Sequence, residues 1–187
     1  MSQIAPASTP VRPWPPVLVR AGEAEQLPAI GHVLLADAPA TGGALSSHRI
    51  ALAPGDSGAV PHRHDGSCEL FYILGGALDV LLDADVVTAR EGDLLVVPPG
   101  TAHAFGPHRG SGAEALVIIT PGIERFGYFR HLVRIRQGAE SRQVLAGLQD
   151  SYDTHFLDSP AWTRAHGSPT AASGPQAAAA AQQEAER

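Results

Sequence analysis

Lysine is absent from this chain of 187 residues, so its 13 basic residues are all arginines. They are scattered, and against 19 acidic residues they leave a formal charge of -6. No basic stripe is available to track a phosphate backbone, which argues against nucleic acid as a partner. Cysteine is almost absent as well. Cys68 stands alone and cannot close an internal disulfide, so burial must hold the core and a reducing compartment suffices. Apolar runs fall far short of the roughly 20 residues of a membrane span. The opening Met1-Ser2-Gln3-Ile4-Ala5-Pro6 also lacks a charged segment followed by an apolar block. A soluble, cytoplasmic protein with no membrane partner is expected. No internal repeat is present, and the length suits one domain with tails.

Proline opens what is there. Pro6, Pro10, Pro13, Pro15 and Pro16 remove donors and fix φ, so residues 1–16 read as an extended or disordered arm. Order is expected from Val17 onward. Strands are predicted at Ile30–Leu35 and Ala44–Leu52, the second placing Ser46, His48, Ile50 and Leu52 on one face. From Gly55 to Thr120 no helical period occurs. Short strands are predicted at Ala59–His64, Glu69–Leu74, Leu78–Leu82, Val86–Arg90, Leu94–Val97, Ala102–Phe105 and Glu114–Thr120, with turns between them, including one at Gly75-Gly76. Many short antiparallel strands indicate an all-β fold, a β-sandwich or small antiparallel barrel, over residues 17–122. Beyond Pro121-Gly122 the period changes. Ile123, Phe126, Phe129, Leu132 and Val133 predict a helix ending at Gly138, and Val144, Leu145, Leu148 and Tyr152 a second, within a helical extension over 123–166. Residues 167–187 hold no large apolar side chain and read as a disordered tail.

The stretch Pro61-His62-Arg63-His64-Asp65-Gly66-Ser67-Cys68-Glu69 carries the chemistry. Alternate residues of a strand share a face, with Cα atoms roughly 6.5–7 Å apart, so His62 and His64 can converge on one metal. A carboxylate, Glu69, follows after a short loop. Downstream, the strand before Pro98-Pro99-Gly100 ends in a rigid turn, and the chain re-enters with His103. Two hairpins separate Glu69 from His103, enough to return a third imidazole to the first two.

Gly55, His62, His64, Glu69 and Gly76, followed by Gly92, Pro98, Gly100 and His103, resemble the two signature motifs of the cupin superfamily of small β-barrels. Six residues separate Gly55 from His62 where the family pattern usually has five, and Pro107 stands where the second motif often has Asn. The resemblance covers roughly residues 44–120. It implies a cupin jelly roll with C-terminal helices packed on it and the metal ligands His62, His64, Glu69 and His103. Four protein donors would close a tetrahedral zinc, whereas an octahedral ion keeps two positions open, so Fe, Ni, Mn or Co is favoured over Zn as the one divalent transition metal.

The three-His, one-Glu set and the Phe71-to-Gly76 strand end look most like quercetin-dioxygenase-type monocupins. The implied activity is a metal-dependent oxygenase acting on a small hydroxylated aromatic, flavonol-like or polyketide-like compound, with dioxygen as co-substrate. The alternatives are an oxygen-independent cyclase or isomerase and a non-catalytic small-molecule-binding cupin. Glu69 is the candidate catalytic residue, as base and ligand or as ligand alone. His48, Phe71, Ile73 and Phe105 are weak candidates for the substrate pocket, for aromatics on barrel strands are more often plain core. Tyr72 should point outward. Cys68 reads as a small buried hydrophobe, and His108, His131, His155 and His166 as solvated surface. Arg125, Arg130, Arg134 and Arg136 read as the charged face of the first helix. A homodimer is expected from the exposed sheet edges and from superfamily habit.

Overall fold

Gly75 and Gly76 do not end a strand. In the computed structural model, which describes residues 14–167, one strand runs from Cys68 to Leu82 straight through them. The pairing register shifts between Ile73 and Gly75, and Gly76 adopts a positive φ of 70°. A Cβ at Gly76 would lie 2.0 Å from the carbonyl oxygen of Gly112, so only glycine lets the backbones approach this closely. The two glycines therefore make a bend rather than a turn, and the bend lets one strand serve two sheets.

The strands are β1 (Glu25–Leu27), β2 (His32–Ala36), β3 (Ser46–Leu52), β4 (Ala59–Arg63), β5 (Cys68–Leu82), β6 (Asp85–Arg90), β7 (Leu94–Val97), β8 (His103–Pro107), β9 (Ala113–Thr120) and β10 (His155–Phe156). All pairings are antiparallel. One sheet runs β1-β2-β3-β9-β5-β7, using the first half of β5. The other runs β10-β4-β8-β5-β6, using the second half. This is a two-sheet jelly roll, and its core is the set of inward residues such as Ile50, Phe71, Ile73, Leu78, Val80, Val97 and Val117. Phe71 and Ile73 are fully buried, while Tyr72 between them is exposed, as strand alternation requires. Val17 and Leu18 are exposed and belong to no strand, so order in the sheets begins at β1 rather than at Val17. The proline arm expected over 1–16 and the tail expected over 167–187 lie almost wholly outside the described residues.

Three helices follow the barrel: α1 (Phe126–Arg136), α2 (Gln143–Ala146) and α3 (Pro160–His166). The second helix expected through Tyr152 is a single turn followed by further turns, and the extension also contributes β10 beside β4. Asp37, at the end of β2, anchors the start of α1, accepting hydrogen bonds from the main-chain N–H groups of Arg125 and Phe126 at 3.0 and 3.1 Å. The apolar stripe of α1 then places Phe129 on Leu27 and Leu34. Burying a side chain of that size contributes about 1.5–3 kcal/mol. The Arg130–Glu25 ion pair at 2.6 Å is half exposed, and such pairs contribute about 0–1 kcal/mol. Packing, not charge, holds α1 over the inner face of β1 to β3. On the far side of the barrel, α3 packs Trp162 against Leu81 and Ala104, the outward residues of the second sheet.

Candidate metal centre

Each ligand position follows from the strand that carries it. His62 lies in β4 and His64 just beyond it, two residues apart and both turned inward. His103 opens β8 and sits directly opposite His62 across the β4–β8 ladder. Glu69, the second residue of β5, is flanked by Val97 and Ile119 on the neighbouring strands. The turn after Pro98 is tied to the same place, since the N–H of Gly100 donates to the carbonyl of His64 at 2.7 Å. His62, His64, Glu69 and His103 are all buried, and one donor atom from each lies within 4.8 Å of all the others.

The three rings are oriented by the atoms behind them. The Nδ1–H groups of His62 and His103 donate to the carbonyls of Val60 and Thr101 at 2.8 and 2.9 Å, and that of His64 donates to the carbonyl of Asp153. Spending Nδ1 on the main chain fixes the tautomer and turns every Nε2 toward the interior. The Nε2 of His64 is buried and has no hydrogen-bond partner among the described residues. The Nε2 of His103 meets a carboxylate oxygen of Glu69 at 2.8 Å, and that of His64 lies 3.4 Å from the same oxygen.

Charge follows from these contacts. Burial pushes the Glu69 carboxyl up, but the hydrogen bond from His103 and the nearby His64 imidazole outweigh it and hold the group well below the usual carboxylate range. Burial pushes the His103 imidazolium down, and the Glu69 hydrogen bond and charge more than reverse this. His62 is held well below the ordinary imidazole range by burial, with His103 and His64 adding to it. Three inward imidazole nitrogens, one of them orphaned, around one buried carboxylate fit a divalent transition ion. A cation there takes the place of the proton shared between His103 and Glu69. The donors are nitrogen and oxygen with no thiolate, a set that suits Fe, Ni, Mn, Co or Zn.

The other expected residues fall into two groups. Phe71 and Phe105 stand one layer further along the strands of Glu69 and His103, packed on each other in a T-shape at 5.2 Å, and Ile73 lies beyond them in the core. His48 is buried on the inner face of β3, opposite Val117, with its ring stacked on His32 at 5.3 Å and set against Phe129 at 4.5 Å. Burial, with the charges of His32 and Arg125, keeps His48 well below the ordinary imidazole range.

The histidines expected at the surface have acidic neighbours there, and one arginine expected there is buried. His108 and His166 both approach the Asp79 carboxylate, at 2.9 and 3.4 Å, and His166 stacks on Trp162 at 3.7 Å. His131 bonds Glu140 at 2.7 Å, and His155 lies 3.4 Å from Asp65 and 3.5 Å from Asp153. Cys68 is only half-buried. Arg125 does not belong to a solvated helix face. It is 4% exposed, lies beneath Tyr128 and Phe129 at 5.7 and 5.6 Å from their ring centres, and its Nε and Nη1 have no hydrogen-bond partner among the described residues. Asp153 was not visible as a site residue, for no sequence signal links it to a histidine 89 positions away.

Comparison with known proteins agrees with this geometry. Residues 48–119 match the Cupin_2 family, described as a cupin domain. No curated protein matches the chain in sequence. Similar solved structures include KdgF from Halomonas sp., with 19% identity and a TM-score of 0.47 over 57% of this chain and 94% of that one. A predicted oxalate decarboxylase from Thermotoga maritima has 22% identity and a TM-score of 0.47 over 56% of this chain and 98% of that one. A Streptomyces PAC13 variant with uridine has 20% identity and a TM-score of 0.46 over 59% of this chain and 86% of that one. The stretch that is similar to the cupin domain family, residues 48–119, contains all four members of the buried cluster, His62, His64, Glu69 and His103.

Proposed function

We propose that this barrel is a metal-dependent oxygenase acting on a small hydroxylated aromatic, flavonol-like or polyketide-like compound. The observation that carries the reading is the ligand arrangement. Three Nε2 atoms, each fixed by a hydrogen bond behind its ring, converge with an anionic Glu69 in a buried cluster. Four protein donors leave two positions on a six-coordinate Fe, Ni, Mn or Co ion, which suits a substrate oxygen and dioxygen better than a closed structural zinc. Held by His62, His64, Glu69 and His103, such an ion would supply a Lewis acid and redox capacity to the reaction.

The chain's own groups complete the chemistry. Glu69 stays anionic and can accept the proton of an acidic substrate hydroxyl, while His103 beside it holds the carboxylate in place. Val97, Val117 and Ile119 line the same inner face and keep bulk water from the reacting atoms. His48, neutral and buried, offers a polar edge without charge. With a single half-buried cysteine the chain places no demand on an oxidising compartment, and a cytoplasmic setting belongs to this reading.

Metal analysis of the purified protein, followed by dioxygen uptake with a flavonol in air and under argon, tests it. Oxygen consumption by protein loaded with Fe, Ni, Mn or Co supports the oxygenase. Turnover under argon replaces it with the cyclase or isomerase reading, and absence of turnover in both replaces it with a binding cupin.

A further inference from the structure

Arg125 has no part in the candidate metal cluster, yet its guanidinium is buried without an ion-pair partner among the described residues. Asp37, at the end of β2, meets the main chain of this segment and is already bonded to the N–H groups of Ala38, Arg125 and Phe126. Those bonds fix where the Arg125 side chain starts, and its Nε and Nη1 remain unpartnered among the described residues. The side chain is directed inward, under the rings of Tyr128 and Phe129, and Phe129 itself rests against His48 on the inner face of β3. His48 stands in register with Val117 of β9, and Val117 with Phe71, two residues along β5 from Glu69 on the same face. The guanidinium and the ligand cluster therefore face one shared interior.

A second orphan lies on the same face. Ser46 is buried, and its hydroxyl has no hydrogen-bond partner among the described residues. It stands in register with Ile119, which in turn stands beside Glu69, so Ser46 and Glu69 occupy one row across the sheet. The segment leading to Arg125 runs against the start of β3, where Gly122 donates to the carbonyl of Gly43 at 2.8 Å. An arginine keeps its charge in proteins, and a buried charge without a counter-charge is costly unless a ligand supplies one. A dication on the cluster would deepen that imbalance, because Glu69 is the cluster's one carboxylate.

We propose that Arg125, assisted by the Ser46 hydroxyl, is the receptor for a carboxylate on the substrate, so that the compound handled at the His–Glu cluster is an organic acid. The planar guanidinium fork matches a carboxylate in a way an ammonium does not. The substrate's reacting end then lies at the cluster and its carboxylate lies under α1. This rests on the cluster being the reacting centre, and the test separates the two claims.

The probes are benzoate against benzamide and acetate against acetamide, titrated calorimetrically into metal-free and metal-loaded protein, with bound metal measured in each preparation. Metal-free wild-type protein is expected to bind at least one carboxylate about 10-fold or more tightly than its amide. Arg125→Gln should abolish that preference and Arg125→Lys reduce it, while Ser46→Ala, which leaves α1 in place, should weaken the carboxylate alone. Equal binding of acid and amide by the metal-free wild type overturns the proposal. So does a preference that appears only with metal and survives in Arg125→Gln, since the metal would then be the anion receptor. If no metal binds and the preference is still present, the carboxylate receptor stands and the metal reading fails.

Discussion

The Nδ1–H of His64 is hydrogen-bonded to the main-chain carbonyl of Asp153, 89 residues along the chain. The carboxylate of Asp153 at the same time accepts from the N–H groups of Asp65 and Gly66 at 2.7 and 2.9 Å. One residue of the C-terminal extension thus holds both a candidate metal ligand and the loop that follows it. It does so from a backbone with φ of 43°, a conformation that aspartate and asparagine tolerate better than most side chains.

Loosening that clamp should weaken the metal and leave the barrel. Asp153→Ala removes both carboxylate bonds, frees the 65–66 loop and unsettles the His64 ring. Supporting contacts of this kind change metal affinity by about 10–100-fold. A competitive chelator titration is expected to show a loss in that range, with the circular dichroism spectrum unchanged. Unaltered affinity would show that the main-chain carbonyl of residue 153 holds His64 without help from the carboxylate bonds.

Glu69 holds two roles that one substitution can separate. Glu69→Gln keeps the shape and a ligating oxygen but loses the charge, so a base role predicts retained metal with turnover reduced by about 100-fold or more. Full turnover with metal retained would leave Glu69 as ligand only. His103→Ala, by contrast, removes a donor and the partner of the Glu69 carboxylate, and is expected to lower metal content itself.

How far the site could be read in advance depended on distance along the chain. His62 and His64 share a face by strand parity, and the paired motifs supplied Glu69 and His103, so four side chains within 4.8 Å were legible. Arg125 was not, because an arginine at a helix start looks the same in sequence whether it meets solvent or turns under Phe129. Gly75-Gly76 was misread for a similar reason. A glycine pair signals a turn or a bend equally, and only its contact with Gly112 decides. The approach of His166 to Asp79 depends on α3 returning to the outer face of the second sheet, a long-range contact that no local pattern encodes.

Asp79 gives the fold an acid-sensitive point. Burial pushes its carboxyl up, but hydrogen bonds from Thr88 and His108, with the His108 and His166 charges, leave it below its ordinary value. A carboxyl lowered on folding adds stability above the ordinary carboxyl range, and that contribution is lost as pH falls through it. Wild-type protein should therefore lose more melting temperature between about pH 5 and about pH 3 than Asp79→Asn does. Parallel slopes for the two proteins would show that the cluster contributes nothing to acid stability.

The outward face of the first sheet carries the remaining expectation. Tyr72 stands opposite Leu94 on one side and Leu116 on the other, and Leu70 stands opposite Val96. Tyr72, Leu74, Leu94 and Val96 are 45%, 40%, 62% and 47% exposed, an unusual concentration of apolar surface on adjacent strands. β7 is also the edge of its sheet, with β5 as its one partner among the described residues. A two-fold contact places the same patch on both partners, which suits an apolar face bordered by an open edge. The expected occupant is a second copy of this chain. Light scattering on the eluted protein should then give roughly twice the chain mass of 19.4 kDa, and Leu94→Arg combined with Val96→Arg should give one chain mass with metal content unchanged. A wild-type protein that elutes as a single chain would leave this face without a homodimer role.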